Sequence, residues 1–240
     1  MLLEEFENKM QEYAKKINVE LNEEQINKFY KYMNLLLEWN EKINLTAITD
    51  KEEIILKHFI DSLTINKFIG QSTSIVDVGT GAGFPGIPIK ILRDDVDMVL
   101  LDSLNKRIKF LDMVIEELKL NNIETVHSRA EDFAHKKEYR EKFDIVTSRA
   151  VANLTTLSEY MIPLAKINGK CIAMKGPDAE EELITSKKAI EVLGGKYNKS
   201  DVFNLPNSDI KRNNIIIDKI KETPKRYPRK AGIPSKEPIS

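Results

Sequence analysis

The chain has 240 residues, enough for one large α/β domain with an appendage, and its 41% hydrophobic content predicts a packed globule. Lys and Arg number 37 against 38 Asp and Glu, a net charge of −1, so any basic character must be local. One cysteine, Cys171, excludes an internal disulfide and a multi-cysteine metal site, and it fits a reducing compartment.

The acidic start Met1-Leu2-Leu3-Glu4-Glu5-Phe6 is unlike a signal peptide. No apolar run approaches the about 20 residues that span a bilayer. A cytoplasmic protein with no membrane attachment is therefore expected.

Residues 1–65 read as a helical extension. Leu3, Phe6, Met10, Tyr13 and Ile17 keep helical spacing. Asn22, with Gln25 three positions on, caps a second helix. Ile26, Phe29, Tyr30, Met33, Leu36, Leu37 and Asn40 then form a stripe predicted to pack on the rest of the chain. Asn44-Leu45-Thr46-Ala47-Ile48 breaks the pattern. Asp50 with Glu53 opens a third helix through Ile54, Ile55, His58, Phe59 and Leu63. His58 reads either as a core histidine or as a site residue.

Residues 66–240 alternate strands and helices. Ser74–Val78 predicts a buried strand, followed by a turn with Gly79, Gly81 and Gly83 and a helix through Ile87 to Leu92. Further strands are expected at 96–102, 123–127, 143–149 and 169–176. Helices are expected at 104–118, 153–164 and 177–193. Two last strands, 197–205 and 213–220, are joined by a polar loop. Repeated β-α-β units imply a mainly parallel α/β sheet with helices on both faces.

Ligands of such sheets bind beyond the carboxyl ends of the strands. Asp77 to Gly83, Asp102, Ala130-Glu131 and Arg149 all fall there. The glycine turn matches two patterns. Gly81-Ala82-Gly83-Phe84-Pro85-Gly86 fits the dinucleotide motif G-x-G-x-x-G. Asp77-Val78-Gly79-Thr80-Gly81-Ala82-Gly83 fits an S-adenosylmethionine loop. Asp102 can accept both ribose hydroxyls in either case. Asp77 inclines toward S-adenosylmethionine, since a carboxylate suits an ammonium and a sulfonium and repels a pyrophosphate. From Lys219 onward seven Lys or Arg stand against two Glu, and Arg226-Tyr227-Pro228-Arg229-Lys230 suits phosphates and base stacking.

The loop Asp77 to Pro88 resembles the cofactor loop of the ribosomal small-subunit methyltransferase G family, also called glucose-inhibited division protein B. The resemblance continues in Asn44–Ile48, His58 through Asp61-Ser62-Leu63, and Leu101–Arg107. It extends to Ser128–Glu131, Ser148–Ala152, Met174-Lys175-Gly176 and Arg226–Pro234. Ser128, where alanine or glycine is frequent, and Lys57, where arginine is expected, are modest departures.

The resemblance implies a Rossmann-like class I S-adenosylmethionine-dependent methyltransferase with an N-terminal helical extension. It implies methylation of N7 of one guanine in the decoding-region loop of 16S ribosomal RNA. The cofactor contacts it implies are Gly79, Phe84, Ala130, Glu131 and Arg149, with Asp102 on the ribose; Asp77, Gly81, Gly83 and Ser103 are expected beside them. His58, Arg149 and Lys175 are expected to position the RNA, with the basic tail on phosphates. Guanine N7 carries a free lone pair, so no general base and no metal are expected. The partner would be 16S rRNA or the small ribosomal subunit, and the protein a monomer. Two other readings stay open at this point. One is an NAD-dependent oxidoreductase resting on the G-x-G-x-x-G match. The other is a non-catalytic rRNA-binding module.

Overall fold

The computed structural model describes residues 1–239. Helix α1 (Leu3–Lys16) and helix α2 (Glu23–Ile43) come first. The expected capping box opens α2: Asn22 and Gln25 each donate a backbone N–H to the other's side chain, both at 2.9 Å. Left-handed Asn44 ends α2. Asp50 accepts from the Glu53 N–H and caps α3 (Lys51–Ile54). The helix then widens into a π-helical turn, Ile55–Ile60, before α4 (Asp61–Leu63). Apolar periodicity does not distinguish that widening from an ordinary turn, so the sequence did not announce it.

Seven strands follow: β1 (Ser74–Val78), β2 (Asp97–Asp102), β3 (Ile123–His127), β4 (Phe143–Arg149), β5 (Ala165–Lys175), β6 (Gly195–Asn204) and β7 (Lys211–Lys219). They form one sheet in the order β3-β2-β1-β4-β5-β7-β6. All neighbours pair in parallel except β7, which runs antiparallel to both β5 and β6. The strand order reverses between β1 and β4, and that switch point is where a ligand crevice is expected. Helices α5 (Gly86–Leu92), α6 (Asn105–Glu117), α7 (Ala130–Phe133), α8 (Leu154–Met161) and α9 (Ala179–Val192) make the crossovers, and α10 (Ile233–Lys236) lies near the end. This is the mainly parallel α/β sheet with helices on both faces expected from the strand–helix alternation.

Successive sheet residues face opposite layers. Ile75, Leu100, Ile145 and Ile172 pack under the N-terminal helices, together with Phe6, Phe29, Tyr32 and Phe59. Val76, Leu101, Val146 and Ala173 pack under α7 to α9. The amphipathic stripe of α1 and α2 therefore shares one continuous core with the sheet. Tyr32 lies off the predicted stripe, yet it is fully buried and donates its hydroxyl to the Ala82 carbonyl, tying α2 to the glycine turn. No helix among the described residues is long and apolar enough to cross a membrane.

Candidate functional site

Two cavities flank the switch point at the carboxyl edge of the sheet. The first, about 280 Å³, lies over the ends of β1, β2 and β3. Gly79, Asp102, Ser103, Ala130 and Glu131, all among the expected cofactor contacts, line it. Tyr160, Gly232 and Ser235 line it as well; Gly232 lay within the tail motif, and nothing local in the sequence marked the other two. The chain after β7 folds back to reach this edge. Arg229 binds Glu159 through Nε and Nη2, the latter at 2.7 Å, and Gly232 donates its N–H to Glu131 Oε1 at 3.1 Å. Arg229 is thus held by a buried carboxylate and is not presented to phosphates, while Lys225, Arg226 and Lys230 remain exposed. The pairing spans 70 residues of chain, beyond the reach of local patterning.

Asp102 is 2% exposed. Its Oδ2 accepts from the Gly81 N–H at 2.9 Å and from Arg107 at 3.2 Å; its Oδ1 accepts from the Leu104 N–H at 2.8 Å. A carboxylate offers about four lone-pair sites. One therefore remains on Oδ1, and displacing Arg107 frees a second.

The glycine turn looks inward. Gly79 and Thr80 donate their N–H groups to the Leu101 carbonyl, and Gly83 and Phe84 to the Thr80 carbonyl. The Gly81 N–H goes to Asp102, and the Gly86 N–H to Asp77 Oδ2 at 2.9 Å. No cradle of outward N–H groups is left for a pyrophosphate, which a dinucleotide site requires. Asp77 is fully buried, and Thr80 also donates to its Oδ2. Burial pushes its carboxyl up to about 6. Its Oδ1 has no partner among the described residues.

The structure separates the expected cofactor residues. Gly79 reaches the cavity wall, whereas Gly81 does not line it and donates its N–H to Asp102. Gly83 abuts Tyr32 and Ile87: a Cβ there would come within 2.7 Å of the Tyr32 hydroxyl. Phe84 is buried and lines neither cavity; it stacks on His58 with ring centroids 4.5 Å apart.

The second cavity, about 400 Å³, lies over β4 and β5, and His58, Arg149 and Lys175 all line it. The π-helical turn and the β4 end make its centre. Arg149 donates to the Lys57 carbonyl at 2.8 Å, to Asp61 Oδ2 at 3.1 Å and to His58 Nδ1 at 3.2 Å. Its guanidinium also sits 5.0 Å above the Phe84 ring. Arg149 can only donate, so His58 carries its proton on Nε2, 2.8 Å from the Thr46 hydroxyl. Burial first, and the Arg149 charge second, hold His58 down to about 3. Asn40 Oδ1 accepts the Leu45 and Thr46 N–H groups and so fixes the loop that orients His58. Lys175 donates to the Ala152 carbonyl at 2.6 Å and pairs with Glu182 at 2.7 Å. Ala150 lines the second cavity and Val151 the first, so this short segment after β4 is the wall between them. Asp61, Arg212 and Glu182 complete the second cavity; only Asp61 lay within a motif the sequence had singled out. Among the described residues no group of three or more His, Cys, Asp or Glu side chains could hold a metal ion.

Solved structures share the fold. The crystal structure of M. jannaschii TYW2 in complex with AdoMet superposes with a TM-score of 0.54 at 17% identity, covering 68% of this chain and 76% of that one. A 16S rRNA (adenine(1408)-N(1))-methyltransferase from Catenulisporales acidiphilia gives 0.52 at 13% identity, covering 63% and 87%. Much nearer in sequence are proteins named ribosomal RNA small subunit methyltransferase G. That of Clostridium botulinum (strain Loch Maree) is 53% identical over 98% of this chain and 99% of its own length. That of Clostridium tetani is 55% identical over 93% and 94%. The model of the family described as rRNA small subunit methyltransferase G matches residues 25–211. The chain belongs to the rRNA small subunit methyltransferase G family.

Proposed function

We propose that this protein methylates N7 of a guanine in the decoding-region loop of 16S rRNA, with S-adenosylmethionine as methyl donor. Family membership along nearly the whole chain carries the reading. The two cavities on either side of the switch point support it: one suits a nucleoside, the other a base. The residues of the first cavity fit the donor. Asp102 keeps an acceptor site for ribose, and Ala130 and Glu131 border the place for adenine. The inward-turned glycine loop disfavours NAD, because the N–H groups of Gly79, Thr80, Gly81, Gly83, Phe84 and Gly86 are already spent on the protein itself.

Bound S-adenosylmethionine supplies an electrophilic methyl group. The acceptor nitrogen has a free lone pair, so this chain need not remove a proton. Its task is alignment and exclusion of water. His58, held neutral, cannot donate charge, and it acts by fixing Arg149 over Phe84. Arg149 and Lys175 set the polar rim for the base and the adjoining RNA backbone. Residues 1–65 serve as an extension that supplies His58 to this rim, while residues 66–240 carry the cofactor cavity. The exposed Lys225, Arg226 and Lys230 lie toward RNA phosphates. The protein acts in the cytoplasm as a monomer.

Incubation with methyl-labelled S-adenosylmethionine and small subunits from cells lacking this protein tests the reading. Label in the RNA is expected, and addition of NAD should not change the melting temperature. Cofactor binding without label in any RNA would leave the fold and refute the substrate.

A further inference from the structure

Asp61 stands where the π-helical turn meets α4, and it is 3% exposed. Its Oδ2 serves two guanidiniums at once: Arg149 at 3.1 Å and Arg212 at 3.2 Å. Its Oδ1 has no hydrogen-bond partner among the described residues. A buried carboxylate oxygen left unpaired is unfavourable and asks for a function. Two guanidiniums on one oxygen leave about two acceptor sites of the four unfilled. The residue lines the second cavity, on the side of the switch point away from the nucleoside cavity.

We propose that Asp61 selects the acceptor base by taking the N1–H and 2-amino donors of a guanine Watson–Crick edge. This deepens the function reading above and rests on it. The edge opposite N7 carries two adjacent donors in guanine, and Asp61 Oδ1, whose two acceptor sites are both unfilled, can take the pair in one plane. Adenine places a ring nitrogen lone pair there instead, against the carboxylate charge, so Asp61 also rejects the wrong purine. Arg149, held by the same carboxylate, is left to donate toward O6. Chemistry strengthens the contact as the reaction proceeds. As N7 shares its lone pair with the methyl carbon, positive charge spreads through the ring and makes N1–H more acidic. Its hydrogen bond to Asp61 tightens in the transition state more than in the ground state, which accelerates the step rather than only binding substrate.

The test couples the side chain to one group on the base. Small subunits are reconstituted with guanosine or with inosine, which lacks the 2-amino group, at the methylated position. Single-turnover rates are measured at saturating S-adenosylmethionine for the wild type and for Asp61→Asn, with melting temperature and cofactor affinity as controls. The wild type should methylate inosine about 10-fold or more slowly than guanosine, on the scale of one charged hydrogen bond. Asp61→Asn should slow guanosine by about 10- to 100-fold and lose the preference between the two bases. Equal wild-type rates on guanosine and inosine would overturn the proposal without any variant. A variant that is slower yet keeps the wild-type preference would also overturn it, making Asp61 a counter-ion only. No methylation of guanosine by the wild type would instead refute the function reading on which the proposal stands.

Discussion

Gly79→Ala probes the first cavity most sharply. The residue sits at φ +69°, where a Cβ costs about 1–2 kcal/mol. The added Cβ would stand 2.5 Å from Val151 Cγ2, well inside contact distance. Val151 is 39% exposed, so its side chain can swing aside without disturbing the core. It lines the same cavity, however, and the swing fills space the nucleoside needs. Two separable effects follow. Backbone strain should lower the melting temperature by about 2–8 °C for a chain of this size. Obstruction should weaken S-adenosylmethionine about tenfold or more, equivalent to about 1.4 kcal/mol. Val151→Ala in the same chain removes the obstructing methyls but not the strain. Titration calorimetry on Gly79→Ala, Val151→Ala and the pair therefore forms a cycle. The pair should regain cofactor affinity while keeping the lowered melting temperature. Wild-type affinity in Gly79→Ala, or no recovery in the pair, would refute the assignment of this cavity to the cofactor.

The other predictions draw on the same contacts. Asp102→Ala removes the acceptor proposed for the ribose and should weaken cofactor binding by about 1.5–3 kcal/mol in the same calorimetric assay. Arg229→Ala strands Glu159, which is 1% exposed, and should cost about 3 kcal/mol of stability in urea melts. It should also loosen the cofactor, because Gly232 and Ser235 follow it into the cavity wall, yet leave the salt dependence of rRNA binding unchanged. Asp77 holds its proton at about 6 when folded and at 3.8 when exposed, so the unfolded chain ionises first and stability falls as pH rises from about 4 to 6. The loss amounts to about 3 kcal/mol at neutral pH, and melts of Asp77→Asn against wild type should show it vanish. His58 works in the opposite direction. The unfolded chain takes up a proton below 6.5 and the folded chain only near 3, so stability falls as pH drops through that window, and His58→Gln should flatten the acid limb.

Much of this architecture was legible because it is written locally. Strand ends carrying Asp102, Ala130-Glu131 and Arg149 follow from β-α-β spacing and the rule that parallel sheets bind at their carboxyl edge. The helix caps at Asn22 and Asp50 are short-range chemistry and were read directly. What escaped was set by contacts distant in sequence. Arg212 approaches Asp61 across 151 residues, and Arg229 reaches Glu159 across 70. A run of basic residues cannot reveal which of its members a buried carboxylate will claim. Phe84 shows the same limit from the other side. The family resemblance implied a cofactor contact for it, and only the fold shows its stacking on His58 and the Arg149 guanidinium above its ring.

The most direct test of the account is nucleoside mass spectrometry on 16S rRNA after reaction of purified protein, S-adenosylmethionine and small subunits lacking the modification. The account predicts one new methyl group, carried as 7-methylguanosine by a single nucleotide of the decoding-region loop. A methyl on another base or another ring position, or an rRNA that gains none, would contradict it.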